Sequence, residues 1–250
     1  MSGRRAVLVI AGSDSSGGAG IARDLRVLSD LGLEAACAIT AVTAQTDGEV
    51  ATVHHVPPEI VRAQILTALD GAAVGAIKIG MLGHAATVHA VADSLPRAGS
   101  LPIVLDPVLL SSSGGVLLDE EGRAAMRARL FPLATVLTPN IPEAATLCAA
   151  PLAASRDERL AQARVLLATG ARAVLLKGGH AEGREAEDLL LTSRGGPLWL
   201  SSPRIDARCR GTGCALASAI AASLAGGSSV EDACRKGKQY VDSMLAAAAS

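Results

Sequence analysis

The 250-residue chain has one Trp, one Tyr and one Phe, so aromatic residues make up 1% of it while apolar residues make up 50%. Its core must be packed from Ala, Val, Leu and Ile. That suits a parallel sheet buried between helices and argues against an all-β sandwich. An excess of either charge is also missing: 23 basic and 24 acidic residues leave a net charge of −1. With no basic stripe to follow phosphates and almost no rings to stack on bases, nucleic-acid binding is not expected. The apolar content excludes disorder, and no uninterrupted apolar run reaches about 18 residues, so no membrane span is expected. Arg4 and Arg5 precede a short apolar run, Ala6–Ala11. The run is at or below the lower limit of roughly 7–15 residues for a signal-peptide core, and a first buried strand explains it better. The five cysteines, Cys37, Cys148, Cys209, Cys214 and Cys234, are odd in number and show no C-x-x-C or zinc spacing. Free thiols in a reducing cytoplasm are expected.

Apolar runs of strand length alternate with amphipathic stretches of helix length. Strands are expected over Ala6–Ala11, Ala35–Ala41, Ala76–Ile79, Ile103–Leu105, Val136–Thr138 and Ala173–Lys177, and helices over Ile21–Leu31, Pro58–Leu69, Ala85–Ser94, Glu120–Leu130 and Arg159–Thr169. Pro57-Pro58-Glu59 places proline in a first helical turn, and Gly32 and Gly170 sit where C-cap glycines belong. Glu187–Leu191 and Leu198–Ser201 flank Arg194-Gly195-Gly196-Pro197 and predict a hairpin at a sheet edge; Cys214–Ala225 and Val230–Ala248 predict two helices parted by Gly226-Gly227. The pattern is that of βαβ units. At roughly 150 residues per domain the length allows one large domain or two small ones. No repeat, linker or composition break divides the chain, so one α/β domain over 1–250 is expected.

Ligands of open parallel sheets bind at the carboxyl ends of strands, so motifs that follow strands carry the most information. Ala11–Gly20 (AGSDSSGGAG) is glycine-rich, but Gly18 stands where a Walker loop needs lysine, and Arg23 stands at the third glycine of a dinucleotide fingerprint. The loop reads either as backbone brought close to a small ligand or as a structural turn. Asp106-Pro107-Val108 and Thr138-Pro139-Asn140-Ile141-Pro142-Glu143 place two carboxylates at different strand exits. Such oxygen donors suit Mg²⁺, which takes one or two carboxylates plus water and phosphate; alternatively, Asp106 caps a turn, and Asn140 and Glu143 only start a helix. Gly211-Thr212-Gly213-Cys214, at the head of the small-residue helix Ala215–Ala225, predicts an anion nest reinforced by a helix N-terminus. Cys214 there is expected to have a lowered pKa, as a base or nucleophile, or else simply to fill space.

Taken in order, AGSDSSGGAGI (Ala11–Ile21), AITAVTAQT (Ala38–Thr46), HHVPPE (His54–Glu59), KIGML (Lys78–Leu82), LDPV (Leu105–Val108), LTPNIPEA (Leu137–Ala144), LLKGGH (Leu175–His180) and GTGC (Gly211–Cys214) resemble the hydroxymethylpyrimidine/phosphomethylpyrimidine kinases of thiamine biosynthesis, in the ribokinase-like superfamily. The resemblance runs from Val7 to about Gly227. It implies a three-layer α/β/α sandwich with a mainly parallel sheet, and transfer of phosphate from ATP, with Mg²⁺, to 4-amino-5-hydroxymethyl-2-methylpyrimidine and then to its monophosphate. It also implies a homodimer. By the same resemblance Gly12, Ala19, Val42, Gln45, Met81 and Val108 would meet the pyrimidine; Asp106 and Glu143 would serve the metal; Asn140, Lys177, Gly178, Gly179 and Thr212 would meet the nucleotide. Gly211, Thr212 and Gly213 would form the anion hole, and Cys214 would be the base. The chain departs from the family's habit at Ala22-Arg23, at Asp47, and at Arg208-Cys209-Arg210 ahead of GTGC. The two arginines there either reach phosphate or weaken adenine contacts. Pyridoxal or hydroxyethylthiazole kinases share GTGC-like nests and form the second reading. A cysteine hydrolase and a non-catalytic binding module are the readings outside kinases.

Overall fold

The computed structural model describes residues 6–46, 48–111, 114–179, 183–207 and 209–249. Its strands are β1 (Ala6–Asp14), β2 (Glu34–Gln45), β3 (Val50–His55), β4 (Val74–Ile79), β5 (Ile103–Leu105), β6 (Val136–Leu137), β7 (Ala173–Leu176), β8 (Glu185–Thr192) and β9 (Leu198–Pro203). Its α-helices are α1 (Gly20–Asp30), α2 (Pro58–Gly71), α3 (Ala85–Ser94), α4 (Glu120–Arg129), α5 (Ile141–Cys148), α6 (Arg156–Leu167), α7 (Thr212–Ala225) and α8 (Val230–Ala249). The nine strands form one sheet in the order β3-β2-β1-β4-β5-β6-β7-β8-β9. Pairing is parallel from β2 through β7 and antiparallel at the β3, β8 and β9 margins.

Both faces of the sheet are covered, which is why the strands read as continuous apolar runs. Successive residues of β1 face opposite sides. Leu8 and Ile10 join Val61 and Ile65 of α2, Val88 and Val91 of α3 and Met126 of α4 in one core. Val7 and Val9 join Ile21 and Leu28 of α1 and Ile220 of α7 in the other. These side chains are fully buried or nearly so, and each large one contributes about 1.5–3 kcal/mol. The result is the expected α/β/α sandwich.

The expected strands and helices are present, with shifted ends. Helix α6 begins at Arg156, not Arg159, because Ser155 and Glu158 form a capping box. Strand β2 continues past Ala41 to Gln45 and turns into β3, which pairs with it antiparallel (Val42 opposite His54). The alternation of Ala with Thr, Val and His through this hairpin gives no apolar run to announce it. The hairpin around Arg194–Pro197 is β8–β9, at the sheet edge as expected. From β1 the order leads to β2 on one side and to β4 and onward on the other. The carboxyl ends of β1 and β4 therefore flank a topological switch point, the ordinary place for a ligand crevice. Among the described residues no helix is long and apolar enough to cross a membrane.

Candidate active site

A cavity of about 1590 Å³ opens there, lined by residues at the ends of β1, β4, β5, β6 and β7: Gly12, Met81, Asp106, Asn140 and Lys177 among them. Asp14 shapes the loop that leaves β1. Its carboxylate accepts hydrogen bonds from the Ser16 N–H, the Ser16 hydroxyl and the Ala19 N–H, each at 2.8 Å. Burial alone would raise its pKa; these bonds, with one from the Gln45 side chain, outweigh burial and hold it below the ordinary value. Two glycines let backbone lie on backbone. Gly20 has φ +56°, and a Cβ there would strike the Gly12 carbonyl; Gly211 has φ +73°, and a Cβ there would strike the Gly18 carbonyl. The first loop and the turn before α7 therefore touch directly.

Two of the departures from the motif pattern fasten this contact. Arg23 Nε donates to the Gly18 carbonyl at 3.2 Å. Arg210 Nη1 donates to Ser16 Oγ at 2.8 Å and to the Thr46 carbonyl at 3.3 Å, and Arg210 Nη2 lies 3.5 Å from Asp14 Oδ2. Arg4, Arg5, Asp47, His180 and Arg208 lie outside the described residues.

Helix α7 starts at Thr212 with Gly211 as its cap and no side chain spent on its first N–H groups. Gly211, Thr212, Gly213 and Cys214 all face the cavity. The expected lowering of the Cys214 pKa is not what the structure gives: the thiol is pushed up to about 11. Burial is the main cause. Lys78 and a Gly20 N–H favour the thiolate, but the nearby carboxylates of Asp24 and Asp106 oppose it. A helix N-terminus does not compensate for that desolvation.

Beside the nest, where a Cβ on Gly213 would lie 3.1 Å from Lys177 Nζ, Lys177 Nζ is 2.8 Å from Asp106 Oδ1 and 4.0 Å from Glu143 Oε2, and Thr138 Oγ1 donates to Asp106 Oδ1 at 3.0 Å. Burial works against the Lys177 charge, but Asp106 and Glu143 raise its pKa overall and keep it an ammonium. Burial, helped by Asp106, pushes Glu143 well above the usual carboxylate range, with Lys177 pulling the other way. Glu143 and Asn140 form a reciprocal capping box: the Asn140 N–H donates to Glu143 Oε2 at 2.7 Å, and the Glu143 N–H to Asn140 Oδ1 at 2.8 Å. Both residues thus start a helix and line the cavity as well. Among the described residues no group of three or more His, Cys, Asp or Glu could hold a metal ion.

Of the residues expected at the pyrimidine, Gly12, Ala19, Gln45, Met81 and Val108 line the cavity. Val42 does not. Strand alternation puts Thr43 and Gln45 on the cavity side and turns Val42 outward, 49% exposed. Gly179 lines the cavity and Gly178 does not. The Gly178 N–H is held by Asp188 Oδ1 at 2.8 Å, and a Cβ there would strike the Glu187 carbonyl, so the glycine lets the two backbones approach closely. None of Phe131, Trp199 and Tyr240 lines the cavity: Phe131 is core, Trp199 carries Arg156 on its face, and Tyr240 bonds Asp30.

One group has no counterpart among the expected site residues. Lys78 in β4 and Asp24 in α1, both fully buried, meet at 2.7 Å, and Ser218 Oγ of α7 donates to Asp24 at 2.8 Å. Burial pushes the Asp24 carboxyl up while Lys78 pulls it down; the short contact and the Ser218 bond fit the charged pair. The available signal was a charge on an apolar face: Asp24 sits in register with Ile21 and Leu28 on α1, and Lys78 lies between isoleucines.

The sequence model of the family described as phosphomethylpyrimidine kinase matches residues 14–250. The chain is 44% identical over 243 residues to a hydroxymethylpyrimidine/phosphomethylpyrimidine kinase of Rhizobium meliloti, covering 96% of this chain and 90% of that one. It is 45% identical over 242 residues to a protein of the same name from Streptomyces coelicolor, covering 96% and 88%. Among solved structures, a phosphomethylpyrimidine kinase from Clostridium difficile superposes with a TM-score of 0.84 at 33% identity, covering 97% of this chain and 100% of that one. The ADP complex of Bacillus subtilis pyridoxal kinase superposes with a TM-score of 0.88 at 32% identity, covering 95% and 90%. On the residues matched and the share of chain covered, this protein belongs to the phosphomethylpyrimidine kinase family.

Proposed function

We propose that the cavity binds ATP beside 4-amino-5-hydroxymethyl-2-methylpyrimidine and transfers the γ-phosphoryl group to its hydroxymethyl oxygen, then to the monophosphate so formed. The observation that carries this reading is a single cavity lined both by a bare helix N-terminus, headed by Gly211–Gly213 and Cys214, and by Gln45. The Gln45 side chain offers a donor and an acceptor, matching an amine beside a ring nitrogen. Gly12, Ala19, Met81 and Val108 give the ring an aliphatic and sulfur surface. The Gly211–Gly213 amides receive the charge that develops on the transferred group, and Cys214 takes the hydroxymethyl proton. Asn140, Lys177, Gly179 and Thr212 meet the nucleotide phosphates.

Mg²⁺ fits this donor set. Two carboxylates, Asp106 and Glu143, gathered beside Lys177, suit an ion that completes its shell with water and phosphate. Asp106 and Glu143 would hold the ion, which supplies charge neutralisation for phosphoryl transfer. The free thiols of all five cysteines are consistent with work in the cytoplasm.

Purified protein with ATP, Mg²⁺ and the pyrimidine alcohol should release ADP; no turnover above background with either pyrimidine would refute the reading. Phosphorylation of pyridoxal is the second reading, favoured by the TM-score of 0.88 to the Bacillus subtilis pyridoxal kinase. Comparing kcat/KM on both alcohols separates the two. Gln45→Leu should cost the pyrimidine about 10²-fold or more and pyridoxal less, because a polar edge match discriminates more strongly than an apolar wall.

A further inference from the structure

The cavity is lined by Lys78, Lys177, Lys238, Arg184, Arg204 and Arg210. Lys78 is buried against Asp24, Lys177 is bound by Asp106 at 2.8 Å, and Lys238 is bound by Asp188 at 3.2 Å. Arg204 donates to the carbonyls of Gly179, Gly183 and Glu185 at 2.6, 2.9 and 3.2 Å, beside Arg184 at the head of β8. Arg210 is placed differently. It sits one residue ahead of the nest, and its guanidinium reaches Ser16 of the first loop and the Thr46 carbonyl next to Gln45. A Cβ on Gly18 would lie 3.2 Å from its Nη1. It is the lining cation held among the segments assigned to the acceptor.

Resting on the two-step reading above, we propose that Arg210 is the receptor for the phosphate of the monophosphate acceptor, and that it sets the enzyme's preference for the second transfer over the first. The first acceptor is a neutral alcohol. The second is a phosphate that must approach the γ-phosphate of ATP, so the second step needs one more positive charge on the acceptor side. A non-bridging oxygen of the monophosphate bonds to the γ-phosphorus as the bond from that phosphorus to the β–γ bridging oxygen breaks. ADP leaves with the electron pair, and a dianionic acceptor has no proton to surrender. Asp14, held ionised 3.5 Å away, offsets part of the Arg210 charge, but its oxygens take their short hydrogen bonds from Ser16 and Ala19 at 2.8 Å, so a phosphate can compete for the guanidinium. A planar guanidinium with several N–H groups can keep the Ser16 contact and still meet a phosphate.

The test measures ADP release with the pyrimidine alcohol and with its monophosphate, for wild type, Arg210→Gln, Arg210→Lys and Ser16→Ala, at low and at raised ionic strength. Arg210→Gln should lower kcat/KM for the monophosphate by about 10- to 150-fold, the range of a charge-assisted hydrogen bond, and for the alcohol by no more than Ser16→Ala does, since both variants lose the Ser16 contact. Arg210→Lys should recover part of the loss. Ser16→Ala, which loosens the loop but keeps the guanidinium, should move both acceptors alike. Salt should raise KM for the monophosphate more steeply than for the alcohol in wild type, and this difference should vanish in Arg210→Gln. Equal losses on the two acceptors in Arg210→Gln would make the residue a loop clasp and overturn the proposal. A wild type that turns over the alcohol and not the monophosphate would instead overturn the two-step reading, and the proposal with it.

Discussion

A thiol pushed up to about 11 is almost wholly protonated at neutral pH. At neutral pH Cys214 is therefore a thiol far more often than a base. Its pKa stands about two units above the ordinary value of 9.0, so at pH 8 its thiolate should be about a hundredfold scarcer than that of a free thiol. Iodoacetamide should therefore label Cys214 about a hundredfold more slowly than a free cysteine at pH 8, followed by mass spectrometry. Labelling at the free-cysteine rate would show that the site does not desolvate the thiol. Only the thiolate accepts a proton, so transfer to the alcohol should accelerate toward alkaline pH, by up to about tenfold per unit below the folded pKa. Cys214→Ala should lower kcat on the alcohol by about 10²–10⁴. Cys214→Asp should move the acidic limb of the profile to lower pH. Wild-type rates in Cys214→Ala would remove the base role altogether.

At the scale of elements, the same residues shape the backbone and face the cavity, and their two duties can be separated. Asn140 caps α5 through Oδ1 and also lines the cavity assigned to the nucleotide phosphates. Aspartate caps a helix as well as asparagine does but repels phosphate. Asn140→Asp should keep the melting temperature within about 2 °C, a change of under 1 kcal/mol, and raise KM for ATP about tenfold, the equivalent of 1.4 kcal/mol. Asn140→Ala should also lose about 1 kcal/mol of stability. An unchanged KM in Asn140→Asp would leave Asn140 with the cap alone. Gly20→Ala should cost more than about 2 kcal/mol, combining left-handed strain with a collision against the Gly12 carbonyl. What could be read ahead of the structure follows the same division. Parallel strands buried on both faces are written as apolar runs, so β1, β4, β5, β6 and β7 were legible. The β2–β3 hairpin was not, because one of its faces meets solvent and the other the cavity. That also misled the reading of Val42, which belongs to a cavity motif by sequence but to the outer face by strand alternation. Gly178 is ambiguous for a related reason: a glycine needed for packing against a neighbouring carbonyl looks like one needed for ligand approach.

At the scale of the whole molecule, an interior nearly free of aromatics holds a fully buried ion pair, which ties the sheet to both helices beneath the nest: Lys78 from β4, Asp24 from α1 and, through its hydroxyl, Ser218 from α7. Composition and periodicity describe how much apolar surface the chain hides. They do not show that two charges on separate apolar faces will meet, since that depends on a crossover joining positions 24 and 78. Burial lowers the Lys78 pKa, and the facing Asp24, with Cys214 and Asp106, raises it further than burial lowers it, so the ammonium persists inside the protein. Such a pair contributes little to net stability, yet removing one member strands the other in a dry interior. Lys78→Met alone should destabilise the fold by about 3–5 kcal/mol, read from the urea midpoint. Lys78→Met combined with Asp24→Leu should recover most of that loss, because an apolar pair of similar volume replaces the ions. The recovered protein should nonetheless be slower on the alcohol, since the Lys78 ammonium favours the Cys214 thiolate and Asp24 only partly offsets it. Its acidic limb should lie at higher pH than that of wild type. A double variant with wild-type stability and a wild-type pH profile would mean that the pair serves neither the fold nor the thiol. A stable double variant with a displaced profile would show a buried charge retained for its field on the reacting group.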